Sequence, residues 1–258
     1  MKLIEIPTDV SKKELFAFLL KNKAALIQQK KFTSKESNGF CYGGQIFSSK
    51  GFALKAAEDI TMPQDGVLLV KAIINTTNYM DSCADVHLPG LWAKSLNDNK
   101  NIMHLQEHEM EFESIIADGV DLKAYTKTFT WRELGFDLKG KTEALVFDST
   151  VREARNEFMY NQYAKGYVKN HSVYMQYVKM ILCVNEPDDL SYGAEYEAWQ
   201  KYLPEVVNKD DAKERGYFWA ITEAKIIEGS AVPIGANSLT PTLSVTAKLE
   251  PPVGTPKR

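Results

Sequence analysis

The second half of the sequence contains two long runs that are typical of buried β-strands. In the first run, from Val173 to Leu182, apolar and aromatic side chains occur on both alternating faces, which favours a strand that is covered on both sides. The second run is YFWAITEAKIIEGSAV, and it ends at the turn-forming sequence PIGAN. Asn170 separates the first strand from a helix that we predict over residues 152–167. Ser172 therefore lies at the beginning of a strand.

Further helices and strands are indicated along the rest of the chain. Ser11 and Glu14 form a capping box at the start of an amphipathic helix predicted to end at Gln29. The sequence PGLWAKSL predicts a short helix with proline in its first turn. The helix over residues 152–167 is expected to face inward at Ala154, Phe158, Tyr163 and Tyr167. Strand patterns occur after Gly66 in VLLVKAIINTT and in residues 101–108, 125–131 and 142–151.

These patterns divide the chain into a core domain and three additional parts. Residues 66–242 are predicted to form the core, and residues 1–65 form an accessory amino-terminal region. Residues 186–214 contain nine acidic and three basic residues around a short helix that we predict over residues 196–207. We interpret this stretch as a solvated acidic insertion. Residues 243–258 are proline-rich and are predicted to form an extended tail.

Charge and apolar runs limit the classes of partner. The net charge of -3 and the pI of about 5.9 indicate no global affinity for nucleic acid or anionic lipid. The longest apolar run, FAFLLKNKAALI, is far shorter than the ~20 residues that cross a bilayer, so no transmembrane helix is expected. The amino terminus lacks the apolar segment of a secretory signal.

Cys41, Cys83 and Cys183 are odd in number and widely spaced, which favours reduced thiols in a cytoplasm.

Imidazole chemistry has few possible carriers in this chain, because histidine occurs only at positions 87, 104, 108 and 171. A serine hydroxyl is a weak nucleophile at neutral pH and needs a neighbouring base that a third group orients. Ser172 at the start of one strand and a histidine at the end of another can meet at one rim of a barrel. His171 points to the opposite face of the strand from Ser172, so we interpret it as structural.

Four segments carry a resemblance to a known family. In chain order they are NTTNYMDSCADVHLPGLWAKSL, IMHLQEHE, GYVKNHSVYM and ITEAKIIEGSAVPIGAN. Their order and spacing resemble the landmarks of the prohead (capsid-maturation) serine proteases of tailed bacteriophages, which are related to herpesvirus assembly proteases. In that family a Pro-Gly-aromatic helix precedes an apolar strand that ends in the catalytic His, and the catalytic Ser lies on a later strand. The resemblance extends from about Asp81 to Thr242.

The resemblance implies a fold, a site and partners. The implied fold is α+β, a herpesvirus-protease-like β-barrel surrounded by helices, here with an amino-terminal helical extension. Ser172 matches the nucleophile, His108 matches the base in a Leu-x-x-His pattern, and Glu228 occupies a position suited to the third, orienting residue. The implied activity is that of a serine endopeptidase without cofactor or metal. Its substrates would be the scaffold protein and the major capsid protein precursor.

The resemblance also implies a place of action. The enzyme would work inside the phage procapsid in the cytoplasm of the host bacterium, where a homo-oligomer is compatible with the family. Contacts with membrane or direct contacts with nucleic acid are not expected. Backbone N–H groups near the start of the Ser172 strand or in the PIGAN turn are candidates for holding an oxyanion.

Several alternatives stay open at the level of sequence. Val173 and Tyr174 follow Ser172 where the family commonly has Ile-Gly, so the chain could be an inactive, protease-like structural protein of the phage head. Residues 104–108, HLQEH, spell the H-x-x-E-H motif of inverzincin zinc metallopeptidases, in which two histidines one helical turn apart bind zinc. Ser172 could also be a hydroxyl that is satisfied at a helix-to-strand junction, and Glu228 could lie on an exposed strand surface.

Overall fold

Nine strands in the described part of the chain form two sheets that pack against each other. The computed structural model describes residues 3–32, 66–99, 101–235 and 237–247. The strands are β1 (Val67–Thr76), β2 (Asp85–His87), β3 (Met103–Gln106), β4 (Ile115–Asp118), β5 (Leu122–Thr130), β6 (Lys141–Arg152), β7 (Asn170–Val184), β8 (Tyr217–Val232) and β9 (Thr242–Ala247). The helices are α1 (Lys12–Phe32), α2 (Ala93–Asp98), α3 (Glu157–Ala164), α4 (Gly193–Tyr202) and α5 (Lys209–Arg215).

The two sheets differ in how their strands pair. The first has the order β5-β6-β1-β9, and all of its neighbours are antiparallel. In the second, the long strand β8 pairs antiparallel with β7 on one side and parallel with the short β2 and β3 on the other, and β4 follows β3. The fold is α+β, as predicted. Within the described ranges the strands form two separate sheets and no closed barrel.

A glycine in β8 allows the sheets to approach each other closely. A Cβ atom at Gly229 would lie 2.6 Å from the Phe147 ring and 2.7 Å from Ile74 Cγ2, both of which belong to the first sheet. Such distances are shorter than van der Waals contact, so a side chain at this position would push the sheets apart. The neighbours Glu228 and Ser230 point to the opposite face of β8, because side chains alternate along a strand. The second sheet therefore has one face in the core and one face that carries the site described below.

The amino-terminal helix α1 packs on this core. Its start has the predicted capping box, in which the Glu14 carboxylate accepts hydrogen bonds from the N–H and the hydroxyl of Ser11 at 3.0 and 2.8 Å. Phe16, Leu19 and Leu26 are buried in the main hydrophobic cluster. The rest of the accessory region, residues 33–65, lies outside the described residues. No helix in the described ranges is both long enough and apolar enough to cross a bilayer.

The predicted acidic insertion is packed against the core and is not a solvated excursion. Trp199 of α4 is 3% exposed, and its ring centroid lies 5.2 Å from that of Phe218 in β8. Glu195, which is 4% exposed, pairs with Lys23 of α1 at 2.5 Å. The helix also begins earlier than predicted, at Gly193. A high content of acidic residues does not exclude these contacts, because an amphipathic helix can carry its charges on one face and bury its opposite, apolar face.

Other sequence predictions needed correction. The helix predicted over residues 152–167 is the shorter α3, which begins after Asn156, whose side chain accepts a hydrogen bond from the N–H of Met159 at 2.9 Å. Of the expected inward positions, Tyr163 is fully buried, whereas Phe158 is 59% exposed and Tyr167 is 64% exposed. Ala154 precedes the helix and is exposed.

The cysteines and the carboxyl-terminal region also differ from expectation. Cys183 is a buried free thiol, as expected, but Cys83 is disulfide-bonded. Cys41 lies outside the described residues. The first part of the predicted tail is strand β9, which pairs with β1. Residues 248–258 are not among the described residues.

Candidate active site

His108 lies in a tight turn that follows β3. The N–H of Glu109 donates to the carbonyl of Gln106 at 2.9 Å, and the two central residues have positive φ, 51° at Glu107 and 64° at His108. This combination is the signature of a type I′ turn, which usually contains Asn or Gly. A left-handed backbone costs about 1–2 kcal/mol at each ordinary residue, so the surrounding structure must hold it in place. The strand predicted over residues 101–108 therefore ends before this turn, at Gln106.

The turn directs the His108 ring back over β8, where it meets Glu228. Nδ1 of His108 lies 2.5 Å from Oε1 of Glu228. The Glu228 side chain is 0% exposed and that of His108 is 6% exposed, so water screens this pair very little. Glu228 is therefore not on an exposed strand surface, and that alternative is wrong.

Ser230 holds both members of this pair. Its hydroxyl donates to Oε2 of Glu228 at 2.5 Å. Oγ of Ser230 also accepts a hydrogen bond from the backbone N–H of His108 at 3.1 Å. Ser230 is fully buried. Ser230 lies in one of the four segments that resemble the family, but the sequence patterns predict no role for it. The available signal was its spacing of two residues from Glu228, which places both side chains on one face of a strand.

Ser172 lies beside this cluster on the neighbouring strand. In the antiparallel pairing of β7 with β8, Ser172 is directly opposite Ser230, and Tyr174 is opposite Glu228. Directly opposite residues share a sheet face, with Cβ atoms about 4.5–5.5 Å apart. Ser172 is 5% exposed. The fold thus brings Ser172, Ser230, Glu228 and His108 to one face of the second sheet.

The turn after β8, which contains Gly235, packs against His171, the residue before Ser172. A Cβ atom at Gly235 would lie 2.8 Å from the carbonyl oxygen of His171, so glycine allows this close approach. The Asn170 side chain donates to the carbonyl of Pro233 at 3.0 Å. The Thr240 hydroxyl donates to the carbonyl of His171 at 2.6 Å. The start of β7 is therefore clamped on the side away from His108.

The hydrogen bond to Glu228 determines which nitrogen of His108 can act as a base. An ionised carboxylate can only accept, so Nδ1 of His108 carries the proton when it bonds Glu228. In the neutral ring, Nε2 is then the acceptor. A hydroxyl proton from a serine would be taken at Nε2, and Glu228 would stabilise the imidazolium that forms. The chemistry that this arrangement can support is nucleophilic attack by a serine.

No family model, curated protein or solved structure matches this chain.

His104 and His171 belong to a different, buried cluster on the core side of the sheet. Tyr163 joins them, because its hydroxyl lies 3.2 Å from Nε2 of His104 and 3.0 Å from Nε2 of His171. The second nitrogen of His104 bonds the Ser149 hydroxyl at 2.8 Å. Burial lowers the pKa of His171 to about 4 and holds the pKa of His104 well below its ordinary value. Both imidazoles are neutral at physiological pH, which agrees with a structural role for His171.

The geometry for the zinc alternative is not present. The H-x-x-E-H reading requires a helix, but His104 lies in strand β3 and His108 lies in the turn after it. The two rings consequently reach different partners on opposite sides of the sheet. Within the described residues, no group of three or more His, Cys, Asp or Glu side chains is arranged to hold a metal ion. The remaining histidine, His87, is hydrogen-bonded to Asn75 and Tyr177, at 3.1 Å each.

An open apolar pocket lies on the same sheet face as Ser172. It has a volume of about 480 Å³ and is lined by Met103, Leu105, Met110, Glu111, Phe112 and Ile115. Leu105 pairs with Ser230 in register, so it is two strands away from Ser172. At about 4.8 Å per strand, the pocket begins about 10 Å from the Ser172 backbone. An extended peptide lying across the strands would span this distance with about three residues.

Proposed function

We propose that this protein is a serine endopeptidase of the prohead-protease type, with Ser172 as the nucleophile, His108 as the base and Glu228 as the orienting residue. The observation that carries the proposal is the buried His108–Glu228 hydrogen bond of 2.5 Å on the sheet face where Ser172 is opposite Ser230. The resemblance of the four sequence segments, which selects the same three residues, supports the proposal independently of the geometry.

The proposed reaction is acyl transfer. Nε2 of His108 takes the proton of Ser172 as Oγ attacks the carbonyl carbon of the substrate peptide bond. When the carbon–nitrogen bond breaks, the imidazolium gives this proton to the leaving amine. The same nitrogen then deprotonates a water molecule, whose oxygen attacks the acyl carbon. The ester bond to Oγ breaks, the acyl group leaves as a carboxylic acid, and the imidazolium returns its proton to Oγ of Ser172. Backbone N–H groups at the turn that contains Gly235 are candidates for holding the oxyanion, because this turn packs against His171, the residue before Ser172.

The proposal includes the partners and fold relationship of the family. The substrates would be the scaffold protein and the major capsid protein precursor, cleaved inside the procapsid in the cytoplasm of a bacterial host. The β-barrel of herpesvirus assembly proteases would correspond here to the two facing sheets. The open apolar pocket supports binding of an extended peptide on the Ser172 face of the sheet.

One observation favours a second candidate, a protease-like structural protein of the phage head without activity. Ser172 is 5% exposed and the His108 side chain 6% exposed, so a substrate reaches them only after a local movement. The Tyr174 ring, at the position where the family commonly has glycine, lies 6.3 Å from the His108 ring between centroids. A substrate backbone would have to pass this ring.

Co-expression with the capsid protein precursor distinguishes the two candidates. The wild type and Ser172→Ala are each produced with the precursor and the scaffold protein, and the products are identified by mass spectrometry. The peptidase predicts cleavage products with the wild type and none with Ser172→Ala. Intact precursor, scaffold and enzyme with both variants would reject the peptidase and favour the structural protein.

A further inference from the structure

The Ser230 hydroxyl makes contacts that neither the nucleophile nor the base provides. It donates to the oxygen of Glu228 that His108 does not contact, at 2.5 Å, and it accepts the backbone N–H of His108 at 3.1 Å. A serine hydroxyl has one proton to donate and two lone pairs, so one hydroxyl can serve both contacts at once. The side chain of the base and its backbone are thereby linked through a single buried oxygen.

The hydrogen bond to the His108 backbone acts on a turn whose left-handed conformation is unfavourable by itself. Residues 107 and 108 are in the left-handed region without Gly or Asn, so the turn depends on tertiary contacts to keep its shape. The N–H of Glu107 donates to the carbonyl of Ala231 at 2.9 Å, and the N–H of His108 donates to Ser230. Two consecutive residues of β8 therefore hold two consecutive residues of the turn.

The Glu228 carboxylate would also lose orientation without this hydroxyl. It is buried, and its two oxygens are bonded to different partners, His108 and Ser230. A carboxylate bonded through both oxygens cannot rotate without breaking one charge-assisted hydrogen bond. The hydroxyl thus fixes the plane of the group that orients the imidazole.

We propose that Ser230 is a positioning residue of the active site, which aligns the His108–Glu228 pair through its hydrogen bonds to the Glu228 carboxylate and the His108 backbone. The proposal rests on the proposed function in so far as it concerns catalysis. The alignment itself is a structural property that can be measured whether or not the protein cleaves a peptide.

The experiment compares Ser230→Ala with Ser230→Thr, which keeps the hydroxyl, and with Ser149→Ala. The last variant is a matched control, because Ser149 is a buried serine that hydrogen-bonds an imidazole outside the proposed mechanism. Labelling by a fluorophosphonate probe measures how well the site activates Ser172. Proton NMR of protein with ¹⁵N-histidine measures the His108 Nδ1–H resonance, which is assigned by its loss in His108→Ala.

Ser230→Ala is expected to slow labelling about tenfold to a hundredfold, the effect of losing a hydrogen bond to a charged group. The Nδ1–H resonance should shift upfield or exchange too fast to be observed. Ser230→Thr and Ser149→Ala should label within about threefold of the wild type, less than one hydrogen bond is worth. If Ser230→Ala does not fold, Ser230→Cys takes its place, since a thiol of similar size is a weaker donor and predicts the same direction.

Wild-type labelling rate and an unchanged resonance in the folded variant without the hydroxyl would overturn the proposal. The NMR arm separates its failure from that of the proposed function. If the wild type is not labelled but removal of the Ser230 hydroxyl still shifts the resonance, the positioning role stands and the peptidase fails. If the wild type is labelled and neither measurement changes in the variant, the peptidase stands and the role of Ser230 is wrong.

Discussion

The substitution Glu228→Gln tests whether the buried carboxylate assists the base. The change keeps the size of the side chain but removes its charge, 2.5 Å from Nδ1 of His108. Both side chains are almost fully buried, at 0% and 6% exposure, so the interaction of the charges is only weakly screened. Two unit charges with centres about 4 Å apart interact by about 4 kcal/mol at an effective dielectric constant of about 20.

In the proposed mechanism this energy is lost from the transition state, because the imidazolium would form only as the proton leaves Ser172. At 1.36 kcal/mol for each tenfold change in rate, about 4 kcal/mol corresponds to a rate about a thousandfold lower. The amide also reverses the hydrogen bonding to Ser230, since an NH₂ group that faces this hydroxyl donates where the carboxylate oxygen accepted. Because the charge interaction would be made only with the imidazolium, we expect Glu228→Gln to change the free energy of activation for labelling more than the free energy of unfolding.

The assay is the second-order rate of labelling by a fluorophosphonate probe, measured with purified wild type and variant. Glu223→Gln is the matched control, because Glu223 lies on the same strand but pairs with Lys179, away from the site. The control should label at the wild-type rate. A Glu228→Gln protein that folds and labels within about twofold of the wild type, a difference below 0.5 kcal/mol, would refute the role of the carboxylate.

Three further predictions concern stability and reactivity. Gly229→Ala should lower the free energy of unfolding by about 1–3 kcal/mol in urea titrations, because its Cβ would meet the Phe147 ring, whereas Gly193→Ala, with open space around it, should not destabilise. An equal effect of both changes would contradict the packing of the sheets. The pKa of His171 is lowered to about 4 by burial, below its unfolded value of about 6.5, so the unfolded state binds more protons between these values. The free energy of unfolding should therefore fall by about 1.4 kcal/mol per pH unit for this group as the pH drops from about 6.5 to about 4. Urea titrations at several pH values should show that the free energy of unfolding of His171→Gln depends less steeply on pH than that of the wild type. Burial raises the pKa of the Cys183 thiol to about 12, so iodoacetamide should modify it in unfolded but not in native protein, as judged by mass spectrometry; rapid native modification would show that the thiol is accessible.

Elements with strong local signals could be predicted from the sequence. The last long strand was predicted with the bounds that β8 has, Tyr217–Val232, and the capping box at Ser11 is present. Both predictions depend on patterns within a few residues, namely alternation of side chains and the spacing of cap residues. The helix over residues 152–167 is predicted too long at its start, because Asn156, a strong N-cap residue, marks where α3 begins.

The site could be predicted only in part, because its geometry depends on register. Which serine faces Ser172 is decided by the alignment of β7 with β8, and a slip of one residue would turn Ser230 to the other face. The turn at His108 has little local signal, since neither Glu107 nor His108 is one of the Asn, Asp or Gly residues that dominate type I′ turns. Its shape comes from hydrogen bonds to β8, which is distant in sequence.

The proposed mechanism requires that Ser172 is a nucleophile activated by His108. It is tested most directly by incubating the full-length protein with a fluorophosphonate probe and locating the adduct by peptide mapping. The predicted result is a single adduct on Ser172 in the wild type and none in Ser172→Ala. Labelling should be strongly slowed in His108→Ala. Circular dichroism shows whether each variant is folded. An unlabelled wild type, or labelling of folded His108→Ala at the wild-type rate, would contradict the claim.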